Sequence, residues 1–262
     1  MNLRFDNQTV LITGAAGAIG KSIALGFAEG GARVFISDIA QAGVDQAVAE
    51  LHAQGAQAAG FAANITHEAE VEAVVAAAAK FGEGAVDVLV NVAGVVGQGK
   101  VEEITEAEWD RIFDVNCKGT FFFTKHVVPL MKARQSGKIV NFSSKSGKTG
   151  SAIMSSYSAA KAAVIGFTQA LAYELADSGI TVNCLCPGIT DHTGVWSNVS
   201  AGYIQNLGKS REDVVKQFTS KVPLKRLAQI EDIVAVTLFM ASSGAAYMTG
   251  QAINVTGGRE MH

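Results

Sequence analysis

Tyr157 and Lys161 stand four residues apart in the stretch YSAAK, so on a helix their side chains project from one face. A phenol beside an ammonium group suits proton transfer. A free phenol titrates at about pH 10, and a neighbouring positive charge favours the phenolate and so makes a usable base. The same spacing also occurs on ordinary helix surfaces, so the pair gains weight only from what accompanies it.

A second chemical signal lies near the start. The string TGAAGAIG runs from Thr13 to Gly20, after a short apolar run and before an amphipathic stretch. Gly14 permits a sharp turn from strand to helix. The small or absent side chains at Gly14, Ala18 and Gly20 let a pyrophosphate approach the helix N-terminus, where free N–H groups and the helix dipole favour anions. Asp38 ends the next β-branched run, 18 positions after Gly20. A carboxylate there accepts both hydroxyls of an adenosine ribose and repels a 2′-phosphate. No Arg or Lys occupies positions 15 to 17, and Arg33 begins its strand and so belongs at the far end. These residues predict NAD rather than NADP.

The elements that must position these groups alternate along the chain. Strands are expected at Thr9–Thr13, Arg33–Ser37, Gln57–Ala62, Asp87–Asn91, Lys138–Phe142, Thr181–Cys186 and Ala252–Val255. Helices are expected near Ala18–Glu29, Val44–Gln54, Glu68–Phe81, Glu106–Arg134, Ser156–Asp177 and Ile230–Ala241. That alternation predicts an α/β fold: a doubly wound, parallel sheet of the Rossmann type with about seven strands and helices on both faces. One domain is expected over residues 1–262. The segment Thr190–Val222 breaks the rhythm, with Gly194, Gly202 and Gly208 among Trp196, Tyr203 and Phe218. Following the carboxyl end of a strand, it reads as a long irregular lid over a ligand.

Composition excludes several classes. Hydrophobic residues make up 48% of the chain and charged residues 17%, which suits a folded α/β protein rather than a disordered one. A formal charge of −3 lacks the footprint of a nucleic-acid binder. No apolar run approaches the ~18–20 residues that span a bilayer, and Arg4, Asp6, Asn7 and Gln8 appear too early for a secretory signal. A soluble, cytoplasmic protein is expected. Cys117, Cys184 and Cys186 form no disulfide framework, and the five histidines (His52, His67, His126, His192, His262) show no ligand spacing, so no metal is expected.

Taken in order, TGAAGAIG, Asp38, NVAG (91–94), Asn116, Ser144, YSAAK (157–161), Asn183, PG (187–188) and VTGG (255–258) resemble the short-chain dehydrogenase/reductase family over essentially the whole chain. Ser144 precedes Tyr157 by 13, the spacing this family uses. The resemblance implies an oxidoreductase acting on a secondary alcohol or ketone. In it Tyr157 exchanges the substrate proton, Ser144 holds the substrate oxygen, and Lys161 holds the nicotinamide ribose and favours the phenolate. Asn116 kinks its helix and seats a water that relays protons from Lys161. The cofactor would be held by Gly14, Ala18, Ile19, Gly20, Asp38, Ile39, Asn64, Ile65, Asn91, Ala93, Gly94, Tyr157, Lys161, Pro187, Gly188, Ile189 and Thr190. Four positions depart from the common pattern. Ala18 replaces a glycine, Val92 a frequent Asn, Asn64 an Asp that accepts from adenine, and Thr256 a closing Asp. The Asn64 carbonyl is expected to accept in place of the carboxylate. Family members are often tetramers, so a homotetramer built from the Glu106–Arg134 and Ser156–Asp177 helices is expected.

A narrower resemblance lies in SKSGK (144–148), KVPLKR (221–226) and TGQAINVTGG (249–258). These stretches are similar to sorbitol-6-phosphate 2-dehydrogenases and related sugar-alcohol dehydrogenases. They imply a polyol or keto-sugar substrate, with or without phosphate. Lys145 and Lys148 would then meet substrate hydroxyls or phosphate, and His192 and Asn198 lie in the expected lid. Two other readings stay open. A 3-oxoacyl carrier-protein reductase would share the catalytic set but generally uses NADPH, which Asp38 disfavours. A nucleotide sensor without turnover would have no need to keep Ser144, Tyr157 and Lys161.

Overall fold

The computed structural model describes residues 3–194, 196, 200, 204 and 210–262. Seven parallel strands form one sheet: β1 (Thr9–Thr13), β2 (Arg33–Asp38), β3 (Ala58–Ala62), β4 (Val88–Asn91), β5 (Gly137–Phe142), β6 (Ile180–Pro187) and β7 (Ala252–Val255), in the order β3-β2-β1-β4-β5-β6-β7. This is the doubly wound α/β sheet that the alternation predicts. The order reverses between β1 and β4, so the chain leaves these neighbours in opposite directions and opens a crevice at their carboxyl ends.

Both faces of the sheet are covered, which is why the strands read as apolar runs. Val10, Ile12, Val34, Ile36, Val88 and Val90 pack on one face, against Ile23 and Phe27 of α1 (Ala18–Glu29), Val44 and Leu51 of α2 (Gln41–Ala53) and Ile233 of α9 (Ile230–Ala241). Leu11, Phe35, Leu89, Ile139 and Val182 pack on the other, with Val71 and Val74 of α3 (Glu68–Phe81), Phe123 and Val127 of α5 (Gly119–Arg134) and Leu171 of α7 (Ser155–Leu175). Register then aligns the functional ends. Thr13 pairs with Ser37 and Asn91, Asn91 with Asn141, Phe142 with Leu185, and Pro187 with Val255. The loops after these strands therefore share one rim.

Beyond shifts of one to three residues at element ends, the structure departs from the sequence reading in three places. The helix expected at Glu106–Arg134 is broken into α4 (Glu106–Phe113), a π-helical turn (Asp114–Lys118) and α5. A short α6 (Lys145–Thr149) follows Ser144. The segment 190–222 is not wholly irregular, because α8 (Arg211–Ser220) lies within it and Trp196, Ser200 and Ile204 are helical. Val214 and Val215 of α8 and Trp196 pack into a cluster with Ile112, Met154 and Tyr157, so burial accounts for the extra helix. Among the described residues, no helix is long and apolar enough to cross a membrane.

Candidate active site

The turn after β1 shows why its residues must be small. Gly14 has φ +66, and a Cβ there would come within 2.7 Å of Ala93 Cα in the loop after β4. Thr13 Oγ1 accepts from Ala93 N–H at 3.2 Å and holds that loop against the turn. The N-terminus of α1 has no side-chain cap, Ala18 opens the helix and Gly20 is buried in its first turn. Uncapped N–H groups at an open helix end suit a pyrophosphate. Across the rim, Asp38 accepts from Ala16 N–H at 2.9 Å and Ile39 N–H at 2.7 Å. Each carboxylate oxygen keeps a lone pair for a ribose hydroxyl. Lys21 pairs with Glu50 at 2.8 Å, and Arg33, at the opposite end of β2, pairs with Glu83 at 2.7 Å.

Asn64 and Ile65 follow β3, on the rim beyond Asp38. Asn64 Oδ1 already accepts from Thr66 N–H at 3.0 Å and from the Thr66 hydroxyl at 2.9 Å. Both lone pairs of that oxygen are used in this arrangement, which leaves the side chain its N–H donors. Ile65 packs on Gly119 at the start of α5. Asn91 is buried beneath the rim, where it donates to Asn141 Oδ1 at 2.9 Å. The half-buried pair Pro187 and Gly188, with Ile189 and Thr190, lines the inner wall, and Ile19 and Gly94 face it.

That wall belongs to a cavity of about 490 Å³ that also contains Ser144, Tyr157 and Lys161. Ser144 leaves β5 extended and caps α6, its Oγ accepting from Ser146 N–H at 3.1 Å. Tyr157 and Lys161 are both buried on α7. Burial pushes the Tyr157 phenol up to about 12, and a hydrogen bond with Ser144 works in the opposite direction. Burial also pulls the Lys161 ammonium down to about 8, opposed by the thiols of Cys184, Cys117 and Cys186. Lys161 Nζ donates to Phe142 O at 2.9 Å and lies 5.8 Å from the Tyr157 ring centroid. In this arrangement burial, not the expected pull of Lys161, dominates the phenol.

Asn116 sits at the centre of the π turn. Its Nδ2 donates to Val95 O at 2.8 Å and to Ile112 O at 2.9 Å. Its Oδ1 is buried and lacks a partner among the described residues. A Cβ on Gly94 would lie 2.7 Å from that oxygen and 3.1 Å from Lys161 Nζ. Gly94 thus keeps open a gap between an unused acceptor and an ammonium group, a space suited to a polar bridge. π turns of this kind recur at functional sites.

The other expected substrate contacts separate. Lys145 lines the cavity, 11% exposed, with Nζ 3.3 Å from Gly150 O. Lys148 is half-buried and not among the lining residues. His192 is 79% exposed, turns its ring toward Asp191 at 3.7 Å and is not among the lining residues. Asn198, Gly202, Tyr203 and Gly208 lie outside the described residues. Sequence reasoning missed Met154, Gln217, Lys221 and Arg259, which complete the wall. Lys221 opens the KVPLKR stretch and Arg259 follows VTGG, but only the fold brings both into the cavity that holds Ser144. Among the described residues, no group of three or more His, Cys, Asp or Glu could hold a metal ion.

The profile of the short chain dehydrogenase family matches residues 8–203. This chain belongs to that family. It is an oxidoreductase of the short-chain dehydrogenase type, a family that binds a nicotinamide cofactor. Galactitol 2-dehydrogenase from Agrobacterium fabrum is 37% identical over 99% of this chain and 100% of its own. A solved actinorhodin polyketide ketoreductase with NADPH is 36% identical, with a TM-score of 0.94, covering 99% of this chain and 100% of that one. Sorbitol-6-phosphate 2-dehydrogenase from Erwinia amylovora is 36% identical, with a TM-score of 0.92, over 97% and 100%. Relatives at this level span polyols and polyketides and do not single out a substrate.

Proposed function

We propose that this protein is an NAD-dependent dehydrogenase that interconverts a secondary alcohol of a polyol with the corresponding keto-sugar. The observation that carries the polyol reading is Trp196 Nε1. Trp196 lines the same cavity as Ser144 and Tyr157, and its Nε1 is buried without a partner among the described residues. A buried donor without an acceptor is costly, and a substrate hydroxyl supplies one. Ser146 and Ser151, whose hydroxyls lie 2.8 Å apart, and Lys145 add further polar groups.

In this reading Ser144 holds the carbinol oxygen and Tyr157 removes its proton during oxidation or returns it during reduction. Lys161 lies deeper, between Tyr157 and the Asn116 carbonyl, where it moves the proton onward. When bound, the nicotinamide takes or supplies the hydride and in its oxidised form adds positive charge that favours the phenolate. Helices α4, α5 and α7 present Trp109, Phe121 and Phe167 on an apolar face that suits assembly into a homotetramer.

Following reduced-nicotinamide absorbance with NAD and a panel of hexitols and pentitols tests the assignment. Activity on polyols supports it, whereas turnover of acetoacetyl thioesters alone favours a carrier-protein reductase. Cofactor choice has its own test. Asp38→Ser is expected to lower kcat/KM with NAD and raise it with NADP, shifting the ratio on the order of 10²-fold, because a repelling charge beside the 2′ position is gone. A wild-type protein that prefers NADP would overturn this choice.

A further inference from the structure

The cavity that holds Ser144 and Tyr157 also carries cations whose charge the reaction at those two residues does not use. Lys145, Lys221 and Arg259 all line it, although they come from α6, the end of α8 and the tail beyond β7. Lys145 and Arg259 are largely buried, with side chains 11% and 19% exposed. Burial and the charges of Arg259 and Lys221 pull the Lys145 ammonium down, so the three cations act on one another. Glu260 is the carboxylate that answers them, 3.3 Å from Arg259 Nε and 4.0 Å from Lys145 Nζ. Glu260 is 6% exposed and is not among the residues lining the cavity. It stands behind the two cations and orients them, leaving an excess of positive charge toward the cavity.

The tail that carries these residues is pinned. Asn254 and Thr256 each donate to Glu260 O at 3.2 Å, and Thr256 Oγ1 accepts from Glu260 N–H at 3.3 Å. The Arg259 guanidinium also lies over the Phe218 ring at 5.7 Å. Like charges gathered in a part-buried wall are unfavourable by themselves. They become favourable when a ligand brings an anion, because a fixed guanidinium and two ammonium groups match phosphate or carboxylate oxygens.

We propose that the natural substrate carries a phosphate or carboxylate at the end remote from its reacting carbon, and that Lys145, Lys221 and Arg259 receive it. This rests on reading the cavity as the substrate site, and it adds a charged end to the alcohol proposed above. Lys145, Lys221 and Arg259 line the same cavity as Ser144 and Tyr157, so one substrate can bring its anion to the cations and its carbinol to the reacting pair.

The test compares three alcohols with one carbon skeleton: a free hexitol, its terminal phosphate ester and the matching aldonate. Wild-type kcat/KM is expected to favour one charged form over the free hexitol, and the preferred form shows whether the anion is phosphate or carboxylate. In Lys221→Ala/Arg259→Ala the ratio of charged to uncharged kcat/KM should fall on the order of 10²-fold. Lys221→Glu, at an exposed position, should lower the same ratio in a protein of near wild-type stability. Calorimetry with inorganic phosphate on NADH-saturated protein gives a readout that needs no turnover. Binding should weaken at least ten-fold in both variants. If no polyol is oxidised but phosphate binding depends on Lys221 and Arg259, the polyol reading falls and the anion site stands. Equal kcat/KM for charged and free alcohols, with phosphate binding unchanged in the variants, would overturn the proposal and leave the dehydrogenase reading intact.

Discussion

Replacing Tyr157 with Phe is expected to lower turnover in both directions by a factor on the order of 10² or more, while NADH still binds. The ring packs with Met154, Ala160 and Trp196, and Phe keeps those contacts, so the fold should be little disturbed. What disappears is the hydroxyl that hydrogen-bonds with Ser144 and faces the cavity. Steady-state kinetics read the loss, and fluorescence titration with NADH checks that the cofactor site is intact. A variant that keeps a substantial share of wild-type turnover would assign the proton to another group.

The same phenol sets a direction for pH dependence. Burial raises Tyr157 to about 12, so near neutral pH it holds its proton and is ready to donate one to a carbonyl. Alcohol oxidation needs the phenolate. Its kcat/KM should therefore climb as pH rises from neutrality, while carbonyl reduction should stay level or fall. Opposite slopes in the two directions would place the titrating group on the reacting proton. Parallel slopes would point to a group that only affects binding.

How far the sequence reached depends on the range of the interactions involved. The bounds of β1, α1, α3, α9 and β7 coincide with the sequence reading, because each is a short apolar or amphipathic run closed by local turn signals. The break at Asp114–Lys118 is legible only through the family resemblance, which places a kink at Asn116, and not in the local sequence. Nothing in DVNCK forbids a regular helix, and the π turn depends on Asn116 donating to Val95 O in a loop 21 residues earlier. The short α6 was missed because its start is fixed by the Ser144 cap alone. At the site, ordered motifs were enough to name Ser144, Tyr157 and Lys161, which share one cavity. They could not separate Lys145 from Lys148, since three positions on a short helix decide which side chain faces inward. Lys221 and Arg259 escaped for a different reason. They are separated by 38 positions and meet only when the tail folds back over α8.

Lys161→Met is expected to remove a rise in stability at high pH that the wild-type protein shows. The Lys161 ammonium is buried and titrates at about 8, whereas in the unfolded chain it returns to the ordinary value near 10.5. Between these values the unfolded state binds more protons than the folded one, so stability increases as pH rises through the window. The gap amounts to about 3 kcal/mol for this group, fully unfavourable below about pH 8 and absent above about 10.5. Other groups titrate in the same range, including the Tyr157 phenol, which acts with the opposite sign. The comparison must therefore be between the two proteins. Urea unfolding at pH 7.5 and pH 10.5 should show the wild type gaining about 3 kcal/mol relative to Lys161→Met. The variant also loses the donor to Phe142 O, a pH-independent cost of about 1–3 kcal/mol that cancels in the difference. Turnover of the variant should fall with that of Tyr157→Phe, because no other ammonium faces the Asn116 carbonyl across Gly94 among the described residues. Identical pH dependence in the two proteins would mean that Lys161 keeps its charge through the whole range. The cavity would then have to be wetter around that side chain than its burial implies, and the site would retain a fixed cation where the structure places a titrating one.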